Sequence, residues 1–267
     1  MRQTARAGDV SVTIDPRGAR IASLRWGERE LLLAVPGADD DGPSFDEPGG
    51  SAEFHRRYRG GWDVLLPNAG EARTIGGVRH PFHGEAAWRR WTLRAEPRSV
   101  LADVVLRTAP LVVRRRVQID EGGLSVSTEV RNTGAETARF THAEHPAWSS
   151  LLLGDAATLV VGGHPVAFDA REGVSLFRDL PIEAGRYELR ERPGGWGVGL
   201  SWDASVFPRL WVWQEHRATT GFPWWGSVDT AGIEPAARRY DDGMPPLSLS
   251  SGDSMTTTIR VDLLPGA

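Results

Sequence analysis

Short runs in which apolar, β-branched and aromatic side chains alternate with polar ones, each cut off by Gly, Pro, Asn or Asp, confine this chain to β structure, because only a strand buries every second residue. Such runs cover residues 10–14, 21–26, 101–107, 111–119, 124–131, 197–202, 210–214 and 255–263. Between them stand turn sequences such as Asp15-Pro16-Arg17-Gly18, Asp120-Glu121-Gly122-Gly123 and Asn132-Thr133-Gly134, which supply the backbone freedom a hairpin needs. With 31 glycines and 18 prolines, and no window carrying an apolar helical stripe behind a cap, long helices are not expected. The pattern predicts an all-β sandwich or barrel with little helix. Residues 35–60, rich in Asp, Gly and Pro, read as a long surface loop rather than a linker, so the 267 residues are expected to form a single domain, 1–267.

Composition narrows the chemistry. The chain has no cysteine, which removes thiol nucleophiles, disulfides, iron–sulfur clusters and thiolate zinc sites. It has no lysine either, which removes internal Schiff bases. A net charge of -4 gives no electrostatic footprint for nucleic acid. Residues 1–8 are polar and do not read as a signal peptide, and no apolar run approaches the ~20 residues that span a bilayer. A cytoplasmic protein without a membrane partner, monomeric or homodimeric, is the expectation.

Three segments hold candidate chemistry. His80-Pro81-Phe82-His83-Gly84, with Trp88 downstream, carries two histidines whose three-residue spacing puts them on opposite sides of an extended chain; His83 is either a pocket histidine or a structural one in a turn. His142-Ala143-Glu144-His145-Pro146-Ala147-Trp148 places a second such pair at the end of a strand-like run, where Glu144 and His145 are either functional or a surface pair. In Gly232-Ile233-Glu234-Pro235 a lone carboxylate follows a strand, a place where desolvation raises the pKa of a general base; an ordinary strand-end glutamate is the other reading. The 11 tryptophans add flat apolar surface of the kind that stacks on sugar rings, or else fill the core of a large sandwich.

Taken in order, these segments resemble the aldose 1-epimerase (galactose mutarotase-like) family. The resemblance runs from residues 18–24 through Pro67-Asn68, His83-Gly84 with Trp88, His145-Pro146-Ala147-Trp148 and Glu234-Pro235 to Leu249-Ser250-Ser251-Gly252-Asp253-Ser254, nearly the whole chain. Gly60-Gly61-Trp62-Asp63 and the aromatic stretch up to Trp225 are similar to a bacterial epimerase-like subgroup. It implies a mostly antiparallel β-supersandwich with an open carbohydrate cleft, a monosaccharide substrate and no metal or organic cofactor. It further implies that Glu234 is the general base at the anomeric hydroxyl, His145 the general acid at the ring oxygen, and His83 a hydrogen-bonding partner in the same region. Where the family reads P-N-R this chain has Asn68-Ala69-Gly70, so the sugar-binding arginine falls to Arg73 beside Asn68. The family's binding aspartate falls to Asp169 or Asp179, with Asp179 preferred, and Trp213 and Trp148 are the expected stacking platforms.

Several readings remain open at this level. The sugar is a free hexose or a phosphorylated one gripped by Arg73, Arg79, Arg89 or Arg90. A binding or regulatory module on the same fold would keep the cleft without catalysis. A metal-dependent enzyme would use His80, His83, His142 and His145.

Overall fold

Along the strand Leu111–Asp120, Leu111, Val113, Arg115, Val117 and Ile119 are buried while most residues between them face solvent, and this two-residue rhythm repeats through most of the chain. In the computed structural model, residues 1–35, 50–240 and 247–266 are described. Among them two nine-stranded antiparallel sheets pack face to face. The first runs, in spatial order, Gln3–Ala7, Val10–Asp15, Arg20–Trp26, Trp62–Leu65, Ala143–Ser149, Asp229–Ala236, Arg209–His216 and Ser175–Pro181, with Arg29–Glu30 pairing on the third strand. The second is built around the long strands Ser99–Val105, Leu111–Asp120, Gly123–Asn132 and Ser254–Leu264. The fold expected from the resemblance, mostly antiparallel β with little helix, is the fold observed.

Strand positions follow the sequence pattern closely. Residues 197–202 form a strand with the expected bounds, and 111–119 extends by one residue. The run expected at 101–107 instead spans Ser99–Val105, because the backbone N–H groups of Arg107 and Thr108 are drawn to the Glu85 carboxylate rather than to a neighbouring strand.

The loop expected at 35–60 needs correction. Residues 36–49 lie outside the described residues, but Ser51–Arg57 is a helix. Glu53 in its first turn and basic residues in its last complement the helix dipole. So short a helix is not stable alone. Its one buried residue, Phe54, anchors it by packing on Tyr58, Phe82 and Trp88 at ring-centroid distances of 5.3–5.4 Å.

Between the sheets lies a charged knot. Glu144, 1% exposed, takes both Arg115 guanidinium nitrogens at 2.6 and 2.8 Å, Trp62 Nε1 at 2.7 Å and Thr128 Oγ1 at 3.2 Å. Burial pushes this carboxyl up, but Arg115 and the hydrogen bond from His142 outweigh it and hold it at about 2. Glu144 is therefore no surface residue: it ties the strand that carries His145 to the opposite sheet.

Candidate functional site

Strand register assembles the site on the outer face of the first sheet. His145 is the direct cross-strand partner of Asp63. On its other side, Ala143 pairs with Ala236 and Ala147 with Gly232, which puts His145 and Glu234 midway between two matched pairs. Glu234 in turn faces Trp211, and Trp211 faces Asp179. Direct partners share a face, so Asp63, His145, Glu234, Trp211 and Asp179 form one row across five strands. Their sequence neighbours Glu144, Ile233 and Val212 point into the core. The small residues Ala143, Ala147, Gly232 and Ala236 flank the row and leave room above it.

A cleft of about 330 Å³ opens over this row. On its floor His145 Nε2 lies 3.3 Å from Glu234 Oε1, with both side chains almost fully buried. Burial pushes the Glu234 carboxyl well above the usual carboxylate range. It pulls the His145 imidazole down to about 4, helped by nearby His55. Burial thus disfavours charge on both members of the pair.

His83 closes the floor, its ring 5.6 Å from that of His145. Its backbone has a positive φ of 63°, held by its own N–H on the Gly70 carbonyl at 2.9 Å. Gly84 beside it, at φ 74°, tolerates no side chain, since a Cβ there would stand 2.2 Å from the Leu66 carbonyl oxygen. The Gly70 N–H donates to His83 Nδ1 at 3.1 Å, so the neutral ring carries its proton on Nε2. Burial, then the neighbouring His145, His55 and Arg238, hold its pKa well below the ordinary histidine value.

The walls are aromatic. On one side the helix supplies Phe54 and His55, the latter lying parallel to Trp213 at 6.2 Å, with Phe82 behind. Burial lowers the His55 pKa, with Glu215 and Glu71 opposing it. On the other side Phe177, Trp211 and Tyr240 pack together at 4.6–6.4 Å, and the Tyr240 hydroxyl donates to Glu71 at 3.1 Å. His83, His145, Glu234 and Trp213, all expected from sequence, thus come together in one cleft.

The other expected binding residues do not line it. Trp148 is fully buried between the sheets, its Nε1 donating to the Tyr187 hydroxyl at 2.8 Å, so it is a core residue. Asn68, also fully buried, spends its amide on the carbonyls of Glu71 (2.8 Å) and Pro81 (3.1 Å) and fixes the turn that brings Gly70 to His83. Asp179 lies on the right face, but its carboxylate accepts from Arg209 Nε and from the Tyr240 N–H, both at 2.8 Å; it positions Tyr240 rather than opening onto the cleft. Arg73 sits on the strand Arg73–Ile75 outside the lining, its Nε donating to the Glu71 carbonyl at 3.4 Å. Asp169 pairs with its neighbour Arg171 at 2.6 Å away from the cleft, and Arg79, Arg89 and Arg90 do not line it either. The histidines read as a metal set are split: His80 bonds Thr108 at 3.1 Å and His142 bonds Glu144 at 3.3 Å on the core side. Among the described residues no group of three or more His, Asp or Glu side chains is placed to hold a metal ion, and no helix is long and apolar enough to cross a membrane.

Phe54, His55, Glu71, Phe82, Phe177, Trp211 and Tyr240 are cleft residues not singled out from sequence as site residues. Trp211 had a signal, since it stands two residues from Trp213 and so shares its face. Phe54 and His55 had none, because the helix that presents them has no local signature.

No protein-family profile matches the chain, and no curated protein sequence does. Solved structures do. A provisional aldose 1-epimerase of Escherichia coli K12 superposes with a TM-score of 0.76 at 15% identity, over 99% of each chain. A galactose mutarotase related enzyme of Lactobacillus acidophilus gives 0.74 at 14% identity, over 100% of this chain and 98% of that one. A galactose mutarotase-like protein of Lactobacillus casei ATCC 334 gives 0.69 at 18% identity, over 98% and 100%. With two face-to-face antiparallel sheets matched from end to end, the chain has the galactose mutarotase-like fold.

Proposed function

We propose that the chain is a mutarotase, an isomerase of the aldose 1-epimerase type that interconverts the anomers of an unphosphorylated monosaccharide. The observation that carries this reading is the contact of His145 Nε2 with Glu234 Oε1 at 3.3 Å on the floor of a cleft with aromatic walls. Pockets for small ligands span roughly 300–1,000 Å³, and 330 Å³ is at the scale of one sugar ring.

Ring opening needs one proton removed from the anomeric hydroxyl and one delivered to the ring oxygen. A carboxylate and an imidazolium held in contact supply both. Glu234 takes the hydroxyl proton and His145 gives its Nε2 proton to the ring oxygen. The bond from C1 to that oxygen breaks and the C1 carbonyl forms. Rotation about C1–C2 followed by the reverse transfers closes the other anomer and returns the proton to His145. The His83 Nε2–H is a donor to sugar oxygens on the same floor, and Trp213 offers a flat face to the ring's C–H groups. Placed acids and bases supply about 10²–10⁴-fold each, and this chemistry runs on the side chains alone.

The cleft's charge selects against phosphate. Among the described residues its lining includes the carboxylates of Glu71 and Glu234 but no arginine, and the sequence has no lysine. Residues 36–49 and 241–246 contain no basic residue. A phosphodianion would find no bidentate cation there. Exchange NMR on free hexoses and their 6-phosphates tests this: acceleration with free sugars alone supports the reading, and preferential acceleration with the phosphates overturns the substrate class. Sugar binding without acceleration would make the protein a binding module.

A further inference from the structure

The proton needed on His145 raises a question of what stabilises it there, since burial alone favours the neutral imidazole. Glu234 occupies the Nε2 side. The other ring nitrogen, Nδ1, is buried with no hydrogen-bond partner among the described residues. On that side of the strand the direct cross-strand partner is Asp63, 5% exposed. No described residue gives the Asp63 carboxylate a hydrogen bond or an ion pair. The nearby arginines are engaged elsewhere: Arg20 and Arg59 pair with Asp15 at 3.6 and 3.9 Å, and Arg20 Nη1 donates to the Gly60 carbonyl at 2.9 Å.

A third buried polar group shares the spot. The Tyr58 ring stands edge-on to His145 at 5.8 Å, and its hydroxyl also has no partner among the described residues. Asp63 and Tyr58 line one cavity of about 20 Å³, together with Arg17, Arg20, Arg57 and Arg59. Buried polar groups in folded proteins are satisfied almost without exception, and Tyr58, which touches His145 on one side and shares the cavity with Asp63 on the other, is placed to join the two.

We propose that Asp63 is the positioning residue for His145: through the Tyr58 hydroxyl it accepts a hydrogen bond originating at His145 Nδ1, fixes the ring, and stabilises the imidazolium that donates from Nε2. Asp63, His145 and Glu234, side by side on three adjacent strands, then form a single proton-handling row. Asp63 touches no substrate. Burial pushes its carboxyl up to about 7 against the pull of Arg20, which suits a group that sees a proton come and go beside it.

This rests on the mutarotase reading for its kinetic consequence but not for its structural one, and the test separates the two. Asp63→Asn and Asp63→Glu are compared with wild type by ¹⁵N NMR of the His145 ring and by anomer-exchange kinetics. Expected is a displaced Nδ1 resonance in Asp63→Asn, with kcat lowered about tenfold or more, a fraction of what a positioned acid supplies, KM within about twofold, and partial recovery of both in Asp63→Glu. An Nδ1 resonance unchanged in Asp63→Asn overturns the proposal whether or not the protein turns over sugar. A displaced resonance in a protein without exchange activity upholds the Asp63–His145 link and sinks the mutarotase reading alone.

Discussion

Gly232 and Glu234 share one face of one strand, and a Cβ on the glycine would stand 2.8 Å from Oε1 of the glutamate. The same Cβ would stand 3.2 Å from Trp213 Cε3. The carboxylate stands on the cleft floor, so it must turn away from the added methyl group. Gly232→Ala is therefore expected to displace the base while leaving the fold intact. Misplacement of a reacting group by ~1 Å costs about 10²-fold, so kcat is expected to fall on that order with a cooperative thermal transition retained. Unchanged kcat would show that the Glu234 position is not critical.

The knot of Arg115 and Glu144 fixes the strand beneath His145. Arg115→Met removes one partner of a buried pair and leaves the other charge uncompensated, at a cost of about 3–5 kcal/mol, measurable by denaturant unfolding. Because the Glu144 pKa is depressed in the folded state, its contribution is present above the ordinary carboxylate range and is lost as pH falls toward about 2. Glu144→Gln should flatten the stability profile within that acid window and nowhere else.

Glu234 has the opposite sign. Its folded pKa is raised, so its stability contribution is full below the unfolded value and is lost as pH rises through the folded one. Glu234→Gln should match wild type in stability near pH 4 and exceed it near pH 8 in thermal melts. A difference independent of pH would show that the carboxyl is not desolvated.

The two tryptophans expected as platforms should separate cleanly. Trp213→Ala removes a cleft wall and is expected to raise KM about three- to tenfold, from the ~0.5–1.5 kcal/mol of an aromatic contact. Trp148→Phe loses the bond to Tyr187 and should lower stability by about 0.5–1.5 kcal/mol with KM unchanged.

What the sequence disclosed and what it hid divide along the range of the forces involved. Strands were legible because a two-residue rhythm is local, as at residues 197–202. His83, His145, Glu234 and Trp213 were legible because each sits in a segment whose order along the chain resembles a family pattern. The same rhythm separates Trp148 from Trp213: Trp148 is three residues from His145 and so faces the core, whereas Trp213 is two from Trp211 and shares the outer face. Asn68 and Asp179 were expected to bind the ligand, but their side chains are engaged by partners distant in sequence, Pro81 for one and Tyr240 for the other. The helix with Phe54 and His55 was missed because aromatic packing, not propensity, holds it.

Proton transfer by Glu234 and His145 is tested by NMR-detected anomer exchange of free hexoses with wild type, Glu234→Gln and His145→Ala. Wild type is expected to accelerate exchange over the buffer rate, and each variant to lose about 10²-fold or more of that acceleration, while sugar still quenches tryptophan fluorescence in both. Exchange at the buffer rate in wild type, or full acceleration in either variant, would contradict proton transfer by this pair.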